Sequence, residues 1–521
     1  MEKVKSRLQA LLKHDLLLFA IIILILSFIY GFHKSSFVPP QGLHQWRQCV
    51  GAAFAKNYAN YDLDITASRV YNYISSNATS DQTFAECPIL YYFVAILYKI
   101  FGTNDTIFRI INLLILFIGL FYLFRTSRLI ISDRFWSMVI TIVVFTSPTL
   151  VYYANSFLPD TSAFGLVFIA LYFVVRYSEN PKTRYLYLIA LFYALAGLLK
   201  ITALLSLMAL IGTFLLCQLL YADVRSRFKL KPGILPMIIP FIAVGVWYYV
   251  VYFYNSHYGG IISKVDVRPI WILDDATISM TWERISHEWI HNYFNVYLEL
   301  LAGLLFLGSL ALFRKSNRFL TILTTLTIIG GTGFFFLFFR SLYQHDYYLI
   351  NLFIIIPMIL MNGALMLKKY FPALFRNFFV KIMVTVIVAF LVYKVVGKVD
   401  YYRYSWNYNH LQYKYFKGLV DIEPLNRELG IKPHDLIISI PDPSINISLY
   451  LMNQPGFTEY GFTDLHGADR IDFFISKGAD YLIVADTGLY ADSSYSYILP
   501  YTDQKIARHR NVDIFDLRGY Q

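Results

Sequence analysis

Gly42-Leu43-His44-Gln45-Trp46-Arg47-Gln48-Cys49 opens, and Glu86-Cys87-Pro88-Ile89-Leu90-Tyr91-Tyr92 closes, a polar and aromatic stretch over residues 34–104 that separates the first two long apolar runs. Its charged, imidazole, amide and indole groups stand out in a chain of 521 residues that is 57% hydrophobic, 18% aromatic and only 15% charged. Soluble domains carry about 25% charged residues. The composition therefore predicts an α-helical polytopic membrane protein with one soluble part. A net charge of +11 does not argue for nucleic acid, because Lys and Arg gather in short loops between apolar runs, as the positive-inside rule requires of cytoplasmic loops.

Outward from that loop, the order of spans follows from length and charge. A crossing helix needs about 20 mostly apolar residues. Leu16–Phe32 follows Lys3, Lys5, Arg7 and Lys13 and has no small-residue cleavage site after it, so it reads as a retained first span with a cytoplasmic N-terminus. Within the loop, Trp46–Tyr58 and the short Pro88–Phe101 read as interfacial helices. If Pro88–Phe101 does not cross, Ile107–Phe124 runs inward to Arg125, Arg128 and Arg134; Phe135–Tyr153 then returns outward and Thr161–Val175 inward to Arg176, Lys182 and Arg184. The apolar residues 185–221 span roughly 55 Å as helix and predict two helices with a tight external turn holding Lys200.

Beyond the basic loop with Arg225, Arg227, Lys229 and Lys231, the expected spans are Ile234–Tyr254, Asn292–Phe313, Leu320–Phe339, Tyr347–Leu367 and Val384–Val396. That makes about eleven, with external loop 255–291 and a C-terminal domain outside the membrane. The chain thus divides into a transmembrane domain, 1–399, and a soluble extracytoplasmic α/β domain, 400–521. In the latter, Leu436–Ile440 and Tyr481–Ala485 read as strands, with helices near Ile445–Asn453 and Arg470–Gly478. Cys49 and Cys87, toward the two ends of the first loop, could form a disulfide on the outer face or stay as thiols.

On this topology four polar sets reach the outer leaflet. They are the loop set with His44, Arg47 and Glu86; the turn Tyr152–Asp160; Lys200; and Tyr343–Tyr348, which holds His345, Asp346 and Tyr348. Carboxylates beside cations suit activation of a hydroxyl by a general base and neutralisation of a phosphate leaving group. With no nucleotide-binding fingerprint in the chain, a polyprenyl-phosphate donor fits the membrane setting.

Phe84-Ala85-Glu86-Cys87-Pro88-Ile89-Leu90-Tyr91, Leu158-Pro159-Asp160-Thr161, Leu198-Leu199-Lys200-Ile201 and His345-Asp346-Tyr347-Tyr348 together resemble, in order and spacing, the outer-face motifs of the C-type membrane glycosyltransferases. This is the class of the protein O-mannosyltransferases and the lipid A aminoarabinose transferase, and the similarity covers roughly residues 10–370. It implies transfer of a sugar from polyprenyl phosphate, by inverting displacement, to lipid A, a polysaccharide or a protein hydroxyl. Where the family opens its first loop with an acidic pair, this chain has His44-Gln45. The base is then Asp160, with Glu86 and His44 as the other candidates, while Arg47, Lys200, Arg284, His345 and Tyr348 are expected on the donor side.

Two rival readings come from other features. His287-Glu288-Trp289-Ile290-His291 spells the zincin spacing and raises a metalloprotease, or a divalent ion held by His287, His291 and Glu86. A lipid-linked-sugar flippase would instead place polar residues at mid-membrane in several spans, whereas here they cluster at one face. Asn77-Ala78-Thr79, Asn104-Asp105-Thr106 and Asn446-Ile447-Ser448 match the N-glycosylation triplet.

Overall fold

The computed structural model describes residues 2–61, 63–84, 86–220, 230–258, 267–405, 415–462 and 464–521. Arg225, Arg227 and Lys229, expected in a cytoplasmic loop, lie outside them. The chain forms two compact units: Met1–Ser36, Arg109–Trp247 and Val265–Asp400 make the first, and Phe37–Phe108, Tyr248–Lys264 and Tyr401–Gln521 the second.

The first unit is helical. Each of the eleven expected spans coincides with a helix or a helix pair. Among the described residues seven helices are long and apolar enough to cross a membrane, and two further pairs qualify if each bent pair is one span. His14–Ile29 and Thr183–Leu199 are shorter apolar helices. Two expected spans differ from simple rods. Phe135–Tyr153 is broken into Arg134–Val144 and Pro148–Ala154, bent by 78°, because Ser147 caps the second helix by accepting from the Leu150 amide and Pro148 fits its first turn. Asn292–Phe313 begins later, at Val296, after Asn295 caps it; the preceding Asp275–Tyr293 helix meets it at 85°.

Small residues set one close crossing. A Cβ built on Gly119 would lie 2.3 Å from the Gly165 Cα, so the helices Asp105–Ile131 and Asp160–Glu179 touch backbone to backbone, as small residues allow between membrane helices. That contact fixes the start of the second helix, where Asp160 sits. Its partner Thr183–Leu199 ends at Lys200, whose extended backbone (φ −154°, ψ 113°) stops the helix before a 3-10 turn, Ile201–Ala203.

The second unit is built on a five-stranded sheet: β1 (Leu436–Ile440), β2 (Gly456–Phe457), β3 (Ala479–Val484), β4 (Lys505–His509) and β5 (Val512–Asp516), in the order β2-β1-β3-β5-β4. The first three strands are parallel, and β5 and β4 add antiparallel. Apolar residues of β1 and β3, such as Ile438, Ile440, Leu482 and Val484, pack against Ile471 and Phe474 of the helix Gly467–Ser476. The sequence shows only two of these strands, because β4 and β5 are a short hairpin and β2 has two residues.

The first polar loop is part of this unit. The Gly456 amide donates to the Tyr71 carbonyl and the Gly456 carbonyl accepts from the Tyr73 amide, at 3.0 and 2.9 Å. Residues 71–73 thus extend the sheet beyond β2. The helices Gln45–Asn60 and Ile89–Phe101 stand where interfacial helices are expected. Cys49 and Cys87 are both buried and not joined in a disulfide, the second of the two alternatives; burial pushes the Cys87 thiol up to about 11. Of the three glycosylation triplets, Asn77 and Asn104 are exposed, while Asn446 is fully buried.

Candidate active site

In the first unit, Asp160 is the opening residue of its helix and is 1% exposed. Its Oδ1 lies 3.0 Å from Lys200 Nζ. The ammonium also faces two rings, 4.4 Å from the Tyr348 centroid and 5.0 Å from that of Tyr347. His345 stacks on Tyr348 at 4.7 Å and shares a 3.1 Å hydrogen bond through Nδ1 with the Tyr347 hydroxyl. Four sequence-predicted residues, Asp160, Lys200, His345 and Tyr348, therefore stand in one cluster. A carboxylate, an ammonium, an imidazole and two tyrosine rings meet there, neighbour to neighbour at 3.0 to 5.0 Å.

Buried residues that sequence reasoning missed hold this cluster. Asn112 donates to the carbonyls of Ser156 (3.1 Å), Leu158 (2.9 Å) and, more weakly, Tyr153 (3.4 Å), and its Oδ1 accepts from the Ser162 hydroxyl. Arg109 donates to the Asn155 carbonyl and lies over the Phe157 ring at 4.5 Å. Asn155 in turn bonds Ser35 and Ser36, each at 2.8 Å. The turn before Asp160 is thus fixed by side chains that satisfy its inward carbonyls, groups that cost about 1–3 kcal/mol each when buried without a partner. On the other side, the Tyr153 hydroxyl donates to Asp346 Oδ1 at 2.6 Å, and Asn351 Nδ2 donates to Thr202 Oγ1 at 3.0 Å. The signal available in sequence was polar Arg109 and Asn112 inside an apolar run, which in a span marks a buried partner or a site.

Arg284 lies 3.0 Å from Glu288 and over the rings of Trp289 and of Tyr343, the residue that opens the segment carrying His345 and Tyr348. Among the described residues the zincin triplet is joined by no third ligand. Glu288, the would-be base, is tied to Arg284, and His287 Nδ1 bonds the Glu283 carbonyl at 3.0 Å. Among the described residues no group of three His, Cys, Asp or Glu could hold an ion.

In the second unit, Arg47 and Glu86 form an ion pair with side-chain exposures of 22% and 16%. Tyr91 donates to the same carboxylate at 2.6 Å. Two residues expected in different roles, donor cation and base, are therefore direct partners. His44 precedes the Gln45–Asn60 helix in a left-handed conformation (φ 55°). Its neighbours Gln45 and Gln48 fasten the loop by donating to the carbonyls of Pro40, Gln41 and Leu43. Nearby in sequence, Arg69 pairs with Asp81 at 2.7 Å; burial raises the Asp81 carboxyl and Arg69 partly offsets it.

Residues 85–247 match the family model described as dolichyl-phosphate-mannose-protein mannosyltransferase. That segment contains Glu86, Asp160 and Lys200. Among solved structures, ArnT from Cupriavidus metallidurans in the apo state is similar over 96% of this chain and 97% of its own, with a TM-score of 0.57 and 13% identity. The same protein bound to undecaprenyl phosphate gives a TM-score of 0.55 over the same shares. The Archaeoglobus fulgidus oligosaccharyltransferase tethered to an acceptor peptide gives 0.53 at 11% identity, over 91% of this chain and 69% of its own. The chain has the fold of the C-type membrane glycosyltransferases. It is a multi-pass membrane protein, and the resemblance read from its motifs extends to nearly the whole chain as fold. No curated relative matches it in sequence.

Proposed function

We propose that the protein transfers a sugar from a polyprenyl-phosphate donor to an acceptor hydroxyl at the extracytoplasmic surface of the membrane. The observation that carries this reading is the buried Asp160–Lys200 pair beside His345 and Tyr348, in a fold whose solved examples include ArnT bound to undecaprenyl phosphate. Orientation follows from the basic loops: the N-terminus is cytoplasmic, and the cluster lies at the opposite face.

Each group has a task. Lys200 is shared between the Asp160 carboxylate and the incoming phosphate. A donor that draws the ammonium toward its phosphate oxygens frees Asp160 to accept the proton of the acceptor hydroxyl. That oxygen attacks the anomeric carbon from the face opposite the phosphate. The carbon–oxygen bond to phosphate breaks, the configuration inverts, and polyprenyl phosphate leaves with its charge met by Lys200, His345 and the Tyr348 hydroxyl. Glu86 and His44 are the next candidates for the base, Glu86 acting with its carboxylate already set by Arg47 and Tyr91.

The test uses purified full-length protein in detergent with a panel of polyprenyl-phosphate sugars and cell-envelope extract as acceptor. Free polyprenyl phosphate should appear with wild type and vanish with Lys200→Ala. Folded wild-type protein that releases none from any donor overturns the reading.

A further inference from the structure

The second unit holds a cavity of about 270 Å³ that the transfer reaction above does not use. Its position follows from the sheet. From β1 the chain passes to β2 on one side and then to β3 on the other, and in open α/β sheets ligands sit outside the carboxyl ends of parallel strands at such a reversal. Ile440 ends β1, Thr458 and Glu459 follow β2, and the helix Gly467–Ser476 begins beside them. The volume is close to the lower bound of ordinary ligand pockets, about 300 Å³. It suits a single ring rather than a polyprenyl chain.

We propose that this cavity binds a neutral sugar ring of the acceptor, so that the acceptor is a glycan; the acceptor clause rests on the transferase reading above. Glu459 is fixed for such a ligand: Oε2 accepts the Asp442 amide at 2.9 Å and Oε1 the Tyr497 hydroxyl at 3.2 Å. Arg470 is held in plane by the carbonyls of Leu465 (Nε, 2.8 Å) and Glu459 (Nη1, 3.1 Å). Among the described residues its Nη2 and both ring nitrogens of the exposed His466 meet no protein group. Tyr495 and Tyr497 line one side, with ring centroids 6.0 Å apart.

A carboxylate only accepts hydrogen bonds and a guanidinium only donates them. Side by side, they match sugar hydroxyls, each of which does both, and the tyrosine rings offer apolar faces to ring C–H groups. A phosphate would meet one guanidinium but also the like charge of Glu459. An apolar ligand would give Arg470 Nη2 and the His466 ring nitrogens no partner.

The experiment is titration calorimetry of the full chain in detergent with methyl glycosides of common hexoses and pentoses, and with inorganic phosphate as the anionic probe. At least one glycoside should bind saturably. Arg470→Ala should weaken it tenfold or more, and His466→Ala several-fold; the latter is an exposed change that spares the fold, checked by melting. Tyr497→Phe, which keeps the ring and removes one hydroxyl, should also weaken binding. Saturation by phosphate alone, no glycoside binding, or binding unchanged in all three variants overturns the site. Wild-type release of polyprenyl phosphate, measured on the same sample, separates the two claims: release without glycoside binding removes only the site, and glycoside binding without release removes only its acceptor role.

Discussion

Two carboxylate–cation pairs hold candidate site residues, and they are built differently. Asp160–Lys200 begins and ends helices of the first unit and is framed by Asn112, Arg109 and Asn155, with the carboxylate 1% exposed. Arg47–Glu86 lies in the first loop of the second unit, supported by one tyrosine and exposed at 22% and 16%. A pair of the first kind is expensive to bury, and breaking one partner leaves an uncompensated charge, about 3–5 kcal/mol. A pair of the second kind is better solvated and worth less. On the proposed function, the first pair serves the chemistry and the second shapes a loop.

The largest expected effect is therefore at the buried pair. Lys200→Ala should lower polyprenyl-phosphate release by about a thousandfold, the scale on which removal of one charge-stabilising group acts in other enzymes. Asn112→Ala should come next, with about 10- to 100-fold loss of release and a lower melting temperature, since the Ser156 and Leu158 carbonyls lose their donor. Arg47→Ala or Glu86→Gln should cost about tenfold or less; an effect as large as that of Lys200→Ala would erase the distinction between the pairs.

Smaller effects lie outside both. Burial raises the Asp442 carboxyl to about 6 against the hydrogen bonds it accepts from Ser444 and Ser448. A carboxyl raised on folding binds its proton more readily in the folded state. Its contribution therefore disfavours folding above pH 6 and is relieved as pH falls from about 7 toward 4. The melting temperature of wild type should accordingly gain on Asp442→Asn as the pH drops from 7.5 to 5.5. Reducing agent should leave melting and activity unchanged, because none of Cys49, Cys87 and Cys217 is in a disulfide.

The order of the helices was legible because hydropathy and loop charge are local properties, and the four motifs carrying Glu86, Asp160, Lys200 and His345 were visible for the same reason. Ser147-Pro148 was also a readable helix start, but the apolar length around it masked the break. What no local pattern carries is pairing across the chain. Nothing near Asn112 announces the carbonyls of residues 153–158, 41 to 46 positions away, and nothing in Arg47 announces Glu86, 39 positions on. The His287–His291 triplet shows the same limit from the other side: its spacing is a local property, while the third ligand a metal needs depends on distant residues.

The most direct test of the central claim is a double-mutant cycle of Asp160→Asn and Lys200→Ala in the polyprenyl-phosphate release assay. If the two act as one unit, the double variant should be no slower than the worse single variant. Losses that multiply, or a double variant that retains wild-type release, would contradict a shared role for this pair.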